Sequence, residues 1–396
     1  MKILVLNSGS SSIKFQVIEK PNDLILASGL VEKIGLSEGA IHYKAGDYQH
    51  TVHIPVPDHQ FGLEKVAILL LDKEHGVLKD VKDIEVVGHR VVHGGNAFTK
   101  TTFITDKVKD KIKELFDLAP LHNPPNLTGI EVAEEMFAHA KQVAVFDTSF
   151  HQSLPEKAYT YAIPLSLRDE KNIRMYGFHG ISHQYVSEQA IAMLGKTESK
   201  IITIHLGNGC SMTAVENGKS VDHSLGFGPN DGLVMGTRCG AIDSSIIFYL
   251  INQLGYTSEN VNNILSKKSG MLGLTGESDL RAIEAKAEAG DKECQLALDI
   301  NAYRIKKTIG SYAASMNGLD AIVFTAGIGE NSDVIRRMAC DNLDYLGIEL
   351  DLEKNAVRSK EHRDISKEGS KVRIFVIPTN EELGIASEGY RLATES

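Results

Sequence analysis

The sequence predicts an α/β protein built from two similar halves, each with a mixed sheet. Three observations predict it: a strand–turn–strand motif that occurs twice, an alternation of β-branched runs with helically spaced ones, and a length of 396 residues, too long for one small core. The first copy of the motif covers residues 2–17 and carries Asn7, Ser8, Gly9, Ser10, Ser11 and Ser12 between two apolar runs. The second covers residues 200–215 and carries His205, Leu206, Gly207, Asn208, Gly209 and Cys210. Each reads as a β-hairpin whose turn has little side-chain bulk and many accessible backbone N–H groups. Such turns cradle phosphates, because amide donors point at the anion and no Cβ holds it away. Two of them suggest two half-molecules closing on one polyphosphate. Counted residue for residue, Asn7 and Lys14 of the first copy align with His205 and Met212 of the second.

Along the first half, residues 2–7, 12–19 and 25–31 read as strands, followed by a polar, poorly periodic stretch to about residue 60. Residues 62–72 have helical apolar spacing, and 84–92 read as a strand interrupted by Gly88, His89 and Arg90. A helix is expected over 107–118, after which Pro120, Pro124 and Pro125 enforce an extended loop. Residues 129–139 read as a helix, and 142–146 as a buried strand ending at Asp147.

The second half repeats the scheme, the two meeting near residues 148–155. A helix at 182–194 precedes the 200–217 hairpin, and 219–223 adds a strand. Helices follow near 242–254, 258–266, 278–289 and 293–316. The strand 321–325 runs into a glycine turn of Gly327, Ile328, Gly329, Glu330, Asn331 and Ser332, with a helix after it. Residues 372–377 form a last strand, and Thr379 with Glu382 makes a capping box for the terminal helix.

Composition narrows the function classes. Apolar content of 42% and charged content of 24% are those of a soluble globular protein. No apolar run approaches the roughly 18 residues of a spanning helix, and the stretch after Met1 is too short for a secretory signal. Cys210, Cys239, Cys294 and Cys340 form no zinc or redox spacing, which suits reduced thiols in the cytosol. A net charge of −10 argues against nucleic acid or an anionic membrane as partner. An acidic protein that handles anions must then concentrate positive charge locally.

Several motifs carry such chemistry. Gly9 and Lys14 have part of a Walker A spacing, but Ile13 stands at the second glycine and no Ser or Thr follows Lys14. The first turn is therefore no P-loop, and read alone it is as well explained as an ordinary Ser/Gly-rich turn. The 327–331 segment places glycines where backbone approaches a nucleotide, next to a positive helix terminus, although a tight strand-to-helix turn has the same grammar. Arg90 and Arg238 lie in apolar, glycine-rich segments, where an unpaired guanidinium would cost several kcal/mol. A structural carboxylate would satisfy either one in isolation; two of them beside phosphate-type loops favour anion binding. His179 and His183 have the spacing of a zinc helix, but Gly180 replaces the required Glu, so His179 is better placed as a hydrogen-bond donor. Asp147 ends a buried strand, where α/β folds present chemistry.

With these segments together, the chain resembles the acetokinase (acetate kinase) family over essentially its full length. The matching blocks are residues 7–14, 88–95, 118–124, 146–151, 176–183, 205–211, 235–240, 278–281, 324–332 and 377–383. The resemblance implies two duplicated ribonuclease-H-like, actin-like ATPase domains with an interdomain nucleotide cleft. Domain one is expected over 1–150 and domain two over 151–396, with the terminal helix free to pack back on the first. It also implies a homodimer, a cytoplasmic location, ATP as co-substrate and Mg²⁺ (or Mn²⁺) as cofactor.

Carried over position by position, Asn7 and Glu381 resemble the metal-associated groups, and Lys14 the lysine that reaches the phosphates beside Ser10 and Ser12. His205, Leu206, Gly207, Asn208 and Gly209, with Asp279, Leu280 and Arg281, and Gly327, Ile328, Gly329, Glu330 and Asn331, resemble the nucleotide-binding segments. Arg90 resembles the carboxylate-binding arginine, Asp147 the active-site aspartate, and His179 and Arg238 the transition-state stabilisers. Val92, Leu121, Phe178 and Pro229 correspond to an apolar pocket for the acetate methyl. Asn96, Ile181 and the run Gly240, Ala241, Ile242, Asp243, Ser244 depart from the family pattern.

The reaction so implied is acetate plus ATP giving acetyl phosphate plus ADP, reversibly. Acetate is already ionised at neutral pH, so Asp147 is expected to orient a metal ion, a water or an arginine rather than act as a base. A propionate or butyrate kinase is the alternative within the class, and a non-catalytic actin- or Hsp70-like nucleotide switch the alternative outside it.

Overall fold

A computed structural model describes residues 1–395 as two compact units, Met1–Phe150 together with the segment from Asn380, and His151–Thr379. In the first unit, β1 (Lys2–Ser8), β2 (Ser12–Glu19) and β3 (Leu24–Glu32) form an antiparallel meander, extended by β4 (Ala40–Ala45) and β5 (Tyr48–His53). Then come α1 (His59–Leu70), β6 (Ile84–Val91), β7 (Thr102–Phe103), α2 (Asp106–Glu114), α3 (Asn123–Met136) and β8 (Lys141–Phe146). The sheet order is β5-β4-β3-β2-β1-β6-β8-β7, with β6 parallel to both β1 and β8. Leu4, Leu6, Phe15 and Val87 join Leu63 and Val66 of α1 in one core, while Ile385 of the terminal helix (Glu381–Thr394) packs over Gly88. Strands covered on both faces read as continuous apolar runs, which is why residues 3–6 show no alternation.

The second unit opens with α4 (Glu156–Tyr159), α5 (Leu165–Asp169) and α6 (Gly180–Leu194), followed by the meander β9 (Lys200–Leu206), β10 (Cys210–Glu216) and β11 (Lys219–His223). Helices α7 (Ser245–Asn252), α8 (Ser258–Lys267), α9 (Gly270–Thr275), α10 (Leu280–Glu288) and α11 (Lys292–Ser315) come next. The chain then runs through β12 (Ala321–Thr325), α12 (Ala326–Asn331), α13 (Asp333–Cys340), α14 (Leu352–Ala356), β13 (Arg363–Asp364) and β14 (Arg373–Val376). Its sheet order is β11-β10-β9-β12-β14-β13, with β12 parallel to both β9 and β14. The series β3-β2-β1-β6-β8 and β11-β10-β9-β12-β14 therefore match in order and direction. The duplication visible as a repeated motif is a duplication of whole sheets.

Several local expectations are corrected. The stretch before residue 60 contains β4, which buries Ile41 and Tyr43, and the edge strand β5, whose mostly exposed polar residues hide the period. Gly88, His89 and Arg90 do not interrupt a strand; all three pair with β8, and a Cβ at Gly88 would lie 2.7 Å from Ile385. Pro124 and Pro125 start α3 rather than extend a loop, because the first helical positions need no N–H. The glycine segment after β12 is itself the short helix α12. Gly270–Thr275 is a further helix that the sequence reading passed over.

The terminal helix is capped by Asn380, whose side chain accepts from the Leu383 N–H, and not by Thr379, whose hydroxyl bonds Ser182. The residue count also misaligns the hairpins. Ser8 pairs with Ile13 across four turn residues, but Leu206 pairs with Cys210 across three. Asn7 thus faces Lys14, while His205 faces Ser211, so Ser211 and not Met212 is the counterpart of Lys14.

Candidate active site

In the first unit, the parallel strands β6 and β8 end side by side and bring Arg90 to Asp147. The pair is bidentate: Arg90 Nε donates to Oδ1 at 3.0 Å and Nη2 to Oδ2 at 2.6 Å. Asp147 is 2% exposed, so its charge depends on this partner. Burial alone would lower Arg90, but Asp147, with Glu381 and Glu382 nearby, outweighs it and holds the guanidinium above its ordinary value. Lys14 reaches Glu382 at 2.6 Å, so the terminal helix delivers carboxylates to both cations. Ser10 and Ser12 stand in and beside the first turn, where Gly9 N–H donates to the Ser12 carbonyl at 2.8 Å.

The sequence reading missed the residues that hold this corner in shape. Asn126 of α3 accepts from Val92 N–H at 3.0 Å and donates to the Ser8 carbonyl at 2.7 Å, tying the end of β6 to the end of β1. Asn123 makes two 3.0 Å bonds to the backbone of His93. An amide that can donate and accept at once suits this task, and two asparagines in the first turn of a Pro-initiated helix were the available signal. Val92 is half-buried, whereas Leu121 is 68% exposed.

In the second unit, the turn between β9 and β10 is the meeting point. A Cβ at Gly209 would lie 3.5 Å from the His179 ring and 3.6 Å from Arg238 Nη1. Asn208 packs so closely on the next segment that a Cβ at Gly236 would stand 2.0 Å from its side-chain oxygen, while Gly236 N–H donates to the Asn208 carbonyl at 3.0 Å. Arg238 Nη1 also donates to the Pro229 carbonyl at 3.0 Å. Among the described residues Arg238 makes no ion pair, and burial lowers its pKa. It has no carboxylate partner among the described residues, unlike Arg90, which is paired with Asp147.

His179 caps α6 with φ at 57°, and Ala326, before the α12 glycines, has φ at 63°. Most other non-glycine residues with positive φ are Asn or Asp in turns. An alanine or histidine held there costs on the order of 1–3 kcal/mol, and such outliers cluster at functional sites. Gly207 lies against Ala326, so the turn and α12 adjoin. Arg336, 1% exposed, holds α12 by donating from Nη1 to the carbonyls of Gly329 (2.8 Å) and Glu330 (3.0 Å). Glu330 accepts from Thr379 N–H at 3.1 Å, and Asn331 donates to the Gly327 carbonyl at 2.8 Å.

Leu280 is buried, while Asp279 and Arg281 pair with each other on the surface, Arg281 being 89% exposed. Ser332 donates to Glu284 and links α10 to α12. Phe178 is buried, and its N–H donates to His223 Nε2 at 3.1 Å. Burial pushes the Cys210 thiol up to about 12, which rules out a thiolate nucleophile beside the turn.

A duplicated α/β fold with a small-residue hairpin turn in each unit, and with Arg238 and His179 gathered at the second of those turns, is that of a phosphotransferase. The comparisons with known proteins name the family. The acetokinase family model matches residues 2–387. An acetate kinase of Flavobacterium johnsoniae is 61% identical over 99% of each chain. Among solved structures, Porphyromonas gingivalis acetate kinase superposes with a TM-score of 0.95 at 41% identity over 99% of each chain. A propionate kinase of Francisella tularensis gives 0.92 at 42% identity, covering 98% of this chain and 99% of its own. The chain belongs to the acetokinase family.

Proposed function

We propose that this protein reversibly transfers the γ-phosphoryl group of ATP to acetate, giving acetyl phosphate and ADP. The observation that carries the reading is the meeting of His179 and the unpaired Arg238 cation at Gly209. An acetate oxygen attacks the γ-phosphorus, and the bond to the bridging oxygen breaks, so that oxygen leaves on ADP. Arg90 takes the acetate carboxylate, held in place by Asp147 through two of its N–H groups. Asp147 acts as an orienter of that arginine and needs no proton to remove. His179, Arg238 and the amides of the 205–209 turn meet the charge on the transferring phosphoryl oxygens, where a single arginine is worth roughly 10³–10⁵ in rate.

Lys14, with Ser10 and Ser12, contacts the phosphates, and residues 279–281 and 327–331 hold the adenosine. Val92 and Leu121 of the first unit, and Phe178 and Pro229 of the second, are the apolar residues assigned to the methyl group. No cluster of three or more metal-ligating His, Cys, Asp or Glu side chains occurs among the described residues. The amide oxygen of Asn7 and the carboxylate of Glu381 instead suit Mg²⁺, or Mn²⁺, that keeps most of its shell on phosphate and water. Asn7 and Glu381 would hold such an ion, which would supply positive charge against the polyphosphate.

The two compact units correspond in this reading to the duplicated domains, with the terminal helix assigned to the first. A homodimer is supported by α7, which buries none of its residues and exposes Ile246 (45%), Phe248 (62%) and Tyr249 (57%). Four free cysteines suit a cytoplasmic location, and no described helix is long and apolar enough to cross a membrane. The relative named as a propionate kinase favours propionate as a second, slower substrate, since one methylene changes discrimination by only about 1–3 kcal/mol. Incubation with MgATP and a panel of short carboxylates, with hydroxylamine trapping of acyl phosphate, tests the proposal. Acetate should give the most hydroxamate; none with any acid would leave only a nucleotide switch.

A further inference from the structure

Beneath His179 lies a buried chain of imidazoles and hydroxyls that the reaction as described does not use. His179 Nδ1 is 2.8 Å from Ser211 Oγ, Ser211 Oγ is 2.7 Å from His183 Nε2, and His183 Nδ1 is 2.6 Å from Thr203 Oγ1. Ser211, His183 and Thr203 are fully buried. Burial, with His151, His205 and His179 close by, lowers His183 well below its ordinary value, so it is neutral and carries one N–H. A neutral imidazole and two hydroxyls on one line have few self-consistent proton arrangements.

Only one polarity gives every buried hydrogen an acceptor. Thr203 makes one side-chain hydrogen bond, to His183, so its hydroxyl must donate there. His183 Nδ1 is then an acceptor and Nε2 carries the proton, which goes to Ser211. Ser211 in turn donates to His179 Nδ1, and the proton of a neutral His179 sits on Nε2, the edge beside Gly209. The reverse polarity strands the Thr203 hydrogen and, in a neutral ring, aims a lone pair at the phosphate-type turn.

We propose that Ser211 is a positioning residue that holds His179 as the neutral Nε2–H tautomer, able to donate to a phosphoryl oxygen, with the polarity set by Thr203 and passed on through His183. The position is telling: Ser211 stands where the first hairpin has Lys14. One copy of the turn thus presents a cation directly, while the other sets the donor character of a neighbouring ring. This inference rests on the reaction proposed above, but its first test does not.

Nitrogen-15 NMR of the histidines in the wild-type protein, with His179 assigned by loss of its signals in His179→Gln, reads the tautomer without turnover. His179 Nδ1 should resonate as a lone-pair nitrogen and Nε2 as an N–H nitrogen at neutral pH. Ser211→Ala should move both shifts toward averaged values and lower kcat about tenfold, with KM for ATP and acetate within about twofold. Ser211→Thr, which keeps the hydroxyl, should restore most of kcat. A protonated Nδ1 in the wild type, or a folded Ser211→Ala protein with kcat within about twofold of the wild type, overturns the inference. If the wild type forms no acyl phosphate, the proposed reaction falls, and the tautomer measurement still decides the role of Ser211.

Discussion

At the scale of single residues, Arg90 and Asp147 form one functional object. Removing the arginine alone leaves a carboxylate that is 2% exposed without its partner, at a cost of about 3–5 kcal/mol. Arg90→Ala should therefore lower Tm as well as raise KM for acetate. The double variant Arg90→Ala/Asp147→Ala should recover most of the lost Tm in a thermal melt while acyl phosphate formation stays lost. Arg238 has no such partner, so Arg238→Ala should leave Tm near the wild type and reduce kcat by about 10³. Both arginines were legible in the sequence because a guanidinium in an apolar run demands an anion. Their difference was not, since Arg90 and Asp147 are 57 positions apart and only the β6–β8 register joins them. The place of Asn126 on its helix was legible but its partners were not, as they follow or end two separate strands.

At the scale of elements, two glycines mark where backbone must approach closely. A side chain at Gly88 meets Ile385, so Gly88→Val should push the terminal helix from β6 and destabilise the protein by about 1–3 kcal/mol, read as a lower urea midpoint. Gly236→Ala intrudes on Asn208 and displaces the turn below it, so KM for ATP should rise with little change in the urea midpoint. Period and propensity located the long helices and the inner strands, because each carries its own buried face. They failed where a neighbour decides the outcome. The prolines after Leu118 read as a break until α3 is seen to use them at its start, and β5, whose residues are mostly exposed, is held at the sheet edge by its pairing with β4 rather than by an apolar rhythm.

At the scale of the whole molecule, buried histidines couple stability to pH. Burial lowers His89, His93 and His151 to about 4, and burial with neighbouring imidazoles also lowers His183 and His223 well below their ordinary value. The unfolded chain binds these protons near pH 6.5 and the folded one does not. Their contribution is therefore complete above that value and lost as the pH falls toward about 4, by about 1.4 kcal/mol per pH unit for each. Urea midpoints should be flat near neutrality and fall steeply below about pH 6. The exposed face of α7 gives a second prediction, which rests on the proposed homodimer: the wild type should sediment as a dimer and Phe248→Lys as a monomer. The unequal turns of the two hairpins carry a historical meaning. A difference of one residue between the two turns changes the count along the chain and leaves the pairing of the strands intact. An alignment of the two halves must open its gap between the strands, and any ancestor inferred without that gap would inherit its lysine at the wrong site.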